Sequence, residues 1–255
     1  MGEPSNRRVR LSASRRLACD AMYFSQKVPL VVLERRMHLA ELVAARRASQ
    51  PRPSWFAIFV KAYALVAARR SELRRSYLSL PWPRLYEHRH SVASMPIERQ
   101  LGGEEVIAYV QIPCPEAQTI ADLDAAIRRH KTEPIENISF FQTQLRISRL
   151  PQPLRRLIWW LGLNLIGPLR TYFYGTFGIT AVSSFGAAAL NILSPLSTTL
   201  TYGVFEPDGS LTVRLVFDHR VMDGANPSRA LAELEEVLRG EVLAELAPPS
   251  LRRAA

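Results

Sequence analysis

The sequence predicts an α/β (α+β) fold in which strand and helix signals interleave along the chain. Three stretches carry that expectation. In LTVRLVF (211–217), Leu211, Val213, Leu215 and Phe217 alternate with Thr212, Arg214 and Val216, the period of a half-buried strand. Ser54 stands directly before an apolar run at helical spacing that extends from Trp55 to about Arg75, as a side-chain-capped helix should. Asn226 and Pro227 combine a capping side chain with a proline suited to a first helical position. Leu231, Leu234, Val237 and Leu238 form the stripe of that helix, and Gly240 sits where a C-cap glycine belongs.

The other elements follow in order. Residues 1–11 read as a loose basic arm. A helix over 13–24 presents Leu17, Ala21, Met22 and Phe24, and PLVVL (29–33) reads as a strand rich in β-branched residues. Residues 39–47 form a short amphipathic helix, and the prolines at 51 and 53 mark a loop. Strands are expected at 84–94 and 105–113. Thr119 and Asp122 resemble a capping box ahead of the helix IADLDAAIRRH. Segment 138–174 has no definite assignment. Strands are expected near 176–183 and 198–206. The second joins 211–217 across Pro207-Asp208-Gly209-Ser210, a turn signal.

Composition narrows the function classes. The chain has 255 residues, 47% hydrophobic and 22% charged, the profile of a soluble globular protein. Cys19 and Cys114 lie far apart without metal-ligand spacing, so no metal is expected and both thiols are read as reduced, in a cytoplasmic protein. A net charge of +10 attracts nucleic acid, anionic membranes and polyphosphate-bearing cofactors alike. The arginines fall on helix-like segments and no nucleic-acid motif accompanies them, so nucleic-acid binding is not expected. No signal peptide and no stretch of about 18 apolar residues is present, which favours a cytoplasmic location.

The stretch from Phe217 to Ala225 carries the chemistry. His219 stands between a strand and a helix start, a place from which an imidazole reaches a site while the scaffold holds it. Asp223 follows four residues later, and Gly224 is read as allowing a turn that a side chain would obstruct. The full string DHRVMDGA resembles the DHRxxDG signature of dihydrolipoamide acyltransferases, the acyl-transferring components of 2-oxo acid dehydrogenase complexes. Its HxxxDG core is also that of chloramphenicol acetyltransferases.

Two further stretches match the same family. TAVSSFG (180–186) resembles the TISSLG-like strand end whose serine hydroxyl bonds the oxyanion; the position carries over to Ser183, with Ser184 as the neighbouring choice. A serine before a glycine turn is otherwise a plain turn residue. SRRLACDAM (14–22) resembles the opening helix xRRxIAxxM, in which an arginine pairs with the aspartate of HxxxDG. That implies a pair of Arg15 with Asp223, against the alternative that Arg15 belongs to a generic basic face.

The resemblance covers roughly residues 12–242, leaving the basic arm 1–11 and a tail 243–255. It implies a chloramphenicol acetyltransferase-like mixed sheet flanked by helices. It also implies a homotrimer whose active sites lie between subunits, with His219 from one subunit and Ser183 from its neighbour. His219 is then the general base, Ser183 the oxyanion donor, and Asp223, with Asp218 and Gly224, the support of the loop. Acyl-CoA is the implied donor substrate and a thiol, hydroxyl or amine the acceptor. The double histidine of peptide-synthetase condensation domains is absent, because Asp218 precedes His219.

Two departures bear on the substrate. No lipoyl domain, subunit-binding domain or Ala/Pro linker is found, so no covalently attached lipoyl group is expected; a lipoyl domain in trans or another acyl carrier takes its place. Segment 151–174 is longer and more apolar than the family's connection. It is read as a buried helix, as the wall of a hydrophobic substrate channel through Trp159 and Trp160, or as a peripheral membrane contact flanked by Arg155, Arg156 and Arg170. The reading opposed to the enzyme is a non-catalytic trimeric scaffold that keeps the fold and has no need of His219.

Overall fold

A six-stranded mixed sheet organises the molecule, and helices cover it. The computed structural model describes residues 10–181 and 192–247. The Ser12 hydroxyl accepts the Arg15 N–H at 3.2 Å and so caps α1 (Ala13–Ser25), which buries Leu17, Ala21 and Phe24. The strand β1 (Leu30–His38) is longer than its apolar start suggests and lies at a sheet edge. The helix α2 (Ala40–Ala48) follows. Ser54 caps α3 (Trp55–Arg69) by accepting the Ala57 N–H at 3.2 Å. This helix is apolar on nearly every side, from Ala57 to Ala67, and is buried accordingly.

The helix stops at Arg69 rather than near Arg75, because Arg75 already opens β2 (Arg75–Leu78). Its partner is β3 (Arg84–Glu87), in a separate two-stranded sheet. The strand expected over 84–94 is therefore two strands in two sheets. Its second half begins β4 (Val92–Leu101), which pairs as an antiparallel hairpin with β5 (Glu104–Pro113). The capping box forms as expected: Thr119 Oγ1 accepts the Asp122 N–H at 3.1 Å, and Asp122 accepts the Thr119 N–H, ahead of α4 (Ile120–Thr132).

Segment 138–174 resolves into α5 (Ser139–Arg149), α6 (Gln152–Asn164) and α7 (Gly167–Tyr174). Pro153 and Pro168 occupy the first turns of α6 and α7, where a missing N–H costs nothing. The remaining strands are β6 (Phe177–Thr180), β7 (Thr198–Tyr202) and β8 (Ser210–Asp218). The sheet order is β1-β8-β7-β6-β4-β5, with β6 parallel to both of its neighbours and the other pairs antiparallel. Tyr202 stacks on Phe59, and Phe177 lies against Tyr63, tying α3 to the sheet.

The last helices correct two expectations. α8 begins at Ala225 and ends at Arg239, so Asn226 lies inside it and Gly224 holds the cap position. Asn226 Oδ1 accepts from Arg229 instead of capping. α9 (Glu241–Leu246) buries Val242 and packs Leu243 and Leu246 on the core. The fold thus continues past 242, into what the sequence suggests is a tail.

Candidate active site

β8 delivers His219 to one end of the sheet and a turn holds it there. The Asp218 N–H donates to the Ser197 carbonyl at 2.9 Å, and the His219 N–H donates to the Pro29 carbonyl at 3.0 Å. The His219 backbone is therefore fixed to the α1–β1 connection while its side chain is 49% exposed. The Asp218 carboxylate is fully buried and folds back on the turn: it accepts the Arg220 N–H at 2.9 Å, Arg220 Nε at 3.0 Å and Arg220 Nη2 at 2.8 Å. A bidentate charge-assisted pair of this kind fixes geometry as well as adding energy. The Arg220 guanidinium also lies 4.5 Å above the Tyr77 ring.

A buried polar layer lies beneath this turn, and sequence reasoning missed it. The His88 ring bridges Ser76 Oγ at 2.9 Å and Thr171 Oγ1, and the Ser197 hydroxyl donates to Ser76 Oγ at 3.2 Å. Ser197 is the residue whose carbonyl anchors Asp218. Burial, with the nearby Arg170 charge, pulls His88 down to about 4, so it is neutral near pH 7. Arg170 is wholly buried and donates to the carbonyls of Leu163 and Pro195, both at 2.8 Å. Burial pulls its guanidinium down to about 10, against the attraction of Asp218. Four elements far apart in sequence build this layer, so no local spacing announces it.

Asp223 lies 3.8 Å from His219 Nδ1 and its side chain is 92% exposed. The implied pair with Arg15 does not form within the chain. Arg15 sits in the first turn of α1 and lines a groove beside β5 with Glu98, Glu104 and Glu105, whereas β7, β6 and β4 separate β8 from β5. The ion pair of α1 is made instead by Asp20, fully buried, with Arg155 of α6 and, at 3.5 Å, with Arg156. Gly224 has φ −54° and ψ −25°, and a Cβ there would meet nothing within 4 Å. No turn geometry in the chain demands that glycine.

The other end of the sheet lies away from His219. Thr180 of β6 pairs with Thr201, while Asp218 is anchored at Ser197, four residues back along β7. The separation along the strands is about 13 Å at roughly 3.3 Å per residue. β6 runs parallel to β7 and leaves the sheet at the end opposite His219. The residues named for the oxyanion, Ser183 and its alternative Ser184, lie outside the described residues.

Beside β6 is an apolar cavity of about 220 Å³. Ala21 and Met22 of α1, Trp159 of α6, Phe173 and Tyr174 of α7, and Ile179 are among its walls. Trp159 is placed as the channel reading requires, with its ring stacked 5.7 Å from Phe24. Trp160 is not a wall residue: it is 40% exposed, in line with Leu154 and Leu157 on the outer face of α6. A fully buried helix is likewise ruled out for α6. The flanking arginines of the membrane reading are turned inward, with Arg155 on Asp20 and Arg170 buried.

Among the described residues no group of His, Cys, Asp and Glu gathers to hold a metal ion. No described helix is long and apolar enough to cross a membrane.

No protein-family model matches the chain, and no curated protein matches its sequence. Solved structures do match in fold. A probable dihydrolipoamide acetyltransferase from Listeria monocytogenes is 17% identical with a TM-score of 0.65, over 96% of this chain and 97% of that one. The dihydrolipoamide acetyltransferase of Azotobacter vinelandii is 16% identical with a TM-score of 0.68, over 94% and 95%. In that protein a serine, a histidine and an asparagine four residues beyond the histidine have roles in the catalytic mechanism. A chloramphenicol acetyltransferase is 13% identical with a TM-score of 0.51, over 86% and 94%. The chain therefore has the mixed-sheet fold shared by these acyltransferases.

Proposed function

We propose that the chain is an acyltransferase that uses acyl-CoA thioesters, with His219 as general base and Ser183 as oxyanion donor, in a site shared between subunits of a trimer. The observation that carries the reading is the half-exposed His219 imidazole on a backbone pinned by the buried Asp218–Arg220 pair, within an acyltransferase fold. A neutral imidazole accepts a proton near physiological pH.

The step balances without a covalent enzyme intermediate. His219 takes the proton of the acceptor thiol, hydroxyl or amine as that atom attacks the thioester carbonyl. Charge collects on the carbonyl oxygen, where a fixed hydroxyl such as that of Ser183 stabilises it. Collapse breaks the carbon–sulfur bond, and the proton held on His219 goes to the departing CoA thiolate. Asp223, at the same four-residue offset as the asparagine of the Azotobacter protein, stands at Nδ1 and favours the ring orientation that leaves Nε2 free.

The separation of the two sheet ends supports a shared site. His219 and the exit of β6 face opposite ways in one chain, an arrangement that suits a second copy supplying the other half. The surplus of basic residues suits a substrate bearing phosphates. Release of free thiol from a panel of acyl-CoA esters tests the reading. The expected result is turnover that falls about 10²–10⁴-fold in His219→Ala. Undiminished turnover in that variant would contradict it.

A further inference from the structure

We infer that the outer face of α6, with the tip of the β2–β3 hairpin clasped to its end, docks on an anionic lipid bilayer. This docking does not depend on the acyltransferase reading. Leu154, Leu157 and Trp160 recur at every third residue of α6 and are all exposed, the spacing of one helix side. Asn164 continues that side and holds the hairpin tip. Its carbonyl accepts the Leu80 N–H at 3.0 Å, and its Oδ1 accepts from the Ser79 hydroxyl at 2.8 Å. Arg84 closes the joint by donating to the Leu165 carbonyl at 2.9 Å. The tip carries Trp82, 77% exposed, and Ile166 stands exposed next to the Leu165 anchor. Two distant parts of the chain thus form one apolar surface, of the kind that marks an interaction site.

The backbone of the tip suits an apolar neighbour. Pro81 and Pro83 have no N–H to satisfy, and the Leu80 N–H is bonded to Asn164. Arg84 Nη1 donates to the carbonyls of Leu80 and Trp82. A loop that needs water for such bonds resists burial beside lipid; here the protein supplies them. Tryptophan, with an apolar ring and one polar N–H, fits the boundary between headgroups and acyl chains.

Charge selects the partner. No Asp or Glu occurs between Glu136 and Glu206, a stretch that includes all of α6 and α7, nor between Glu72 and Glu87, which includes the tip. Glu72 and Glu87 are themselves paired with Arg70 and Arg75. Arg84 is exposed and its bonds go to carbonyls, so among the described residues no carboxylate offsets its charge. Arg155 and Arg170 are buried and add nothing to this surface. A second copy of the same face would bring like charges together. Anionic headgroups instead meet the guanidinium while acyl chains meet the apolar side chains. The net charge of +10 adds attraction at longer range.

The test is co-sedimentation of the full-length protein with two kinds of vesicle, phosphatidylcholine alone and phosphatidylcholine with phosphatidylglycerol in equal parts. Wild type is expected to bind the mixed vesicles about fivefold more tightly or better, with the difference shrinking as salt is added. Trp82→Ser is expected to weaken binding about tenfold. Leu157→Glu places an acid on the face and is expected to weaken binding to the mixed vesicles further. Ile107→Ser, at an exposed apolar residue of β5, is expected to leave binding unchanged.

Light scattering and the thermal midpoint, both without lipid, show whether each variant keeps its size and fold. Trp82 stands out at a tip, so its variant remains informative if Leu157→Glu does not fold. No binding by wild type, equal binding to both vesicles, or undiminished binding in folded Trp82→Ser overturns the inference. Dissociation of the oligomer in either variant assigns the face to a second copy and overturns it as well. None of these outcomes bears on turnover by His219.

Discussion

The two ends of the central sheet solve different problems. At the His219 end a buried carboxylate, a bidentate guanidinium and a layer of hydroxyls around His88 fix a short turn. At the Thr180 end aromatic and aliphatic side chains from three helices enclose a cavity. One end is fixed by charge and hydrogen bonds, the other by the packing of apolar side chains. A single chain keeps them apart.

If the first end is held by charge, removing Asp218 has the largest effect on stability. Asp218→Ala leaves Arg220 and the buried Arg170 without their counter-charge. The expected loss is about 3–5 kcal/mol by denaturant unfolding. Trp159→Ala at the other end opens an existing cavity further and is expected to cost about 3 kcal/mol or more. A loss below about 1 kcal/mol for Asp218→Ala would mean that the turn is held by its backbone bonds alone.

Acid sharpens the same contrast, because His88 belongs to the polar layer at the His219 end. His88 sits at about 4 in the folded protein, chiefly through burial and then through Arg170, against an ordinary value near 6.5. Between these values the unfolded chain binds a proton that the folded chain refuses, so stability falls as pH drops from 6.5 towards 4. The loss amounts to about 3 kcal/mol across that window. Urea unfolding at pH 7 and pH 4.5 should show a larger drop for wild type than for His88→Gln. Equal drops would show that His88 is not the acid-sensitive group.

The smallest expected effect belongs to Asp223, the exposed partner of His219. Asp223→Asn should change stability by no more than about 0.5 kcal/mol, as exposed pairs do. Combined with Arg15→Met it should be additive, since the two residues belong to different parts of the sheet. Non-additivity would show that the pair implied by the resemblance forms between chains.

The same contrast separates what the sequence reveals from what it hides. The His219 end is legible because its parts are local: an alternating strand, a seven-residue string and a helix start follow one another. The capping serine and the Thr119–Asp122 box are legible for the same reason. The Arg15–Asp223 pair, carried over from a resemblance, fails in the chain, while the real tie of α1 joins Asp20 to Arg155 across more than a hundred residues. β4 runs on past the expected strand end at 94, beyond which Pro96 and Glu98-Arg99-Gln100 break the alternating pattern. Among the described residues β6 pairs with β4 at Ala93 and Ser94 alone, so one side of β4 is unpaired there beyond them and tolerates the proline. The position of Gly224 after Asp223 suggests a turn requirement, yet its backbone is ordinary helix and its surroundings are open.

Complementation tests the shared site most directly. Ser183→Ala and His219→Ala are each expected to be nearly inactive. Co-expressed at equal amounts, they form mixed trimers in which some interfaces join an intact His219 to an intact neighbouring Ser183. With random assembly around a head-to-tail ring, about one quarter of the sites are intact, so about one quarter of wild-type activity returns. Mixed assemblies, confirmed by differential tags, that recover no activity would place both residues in one chain's site or in none, and would contradict the account.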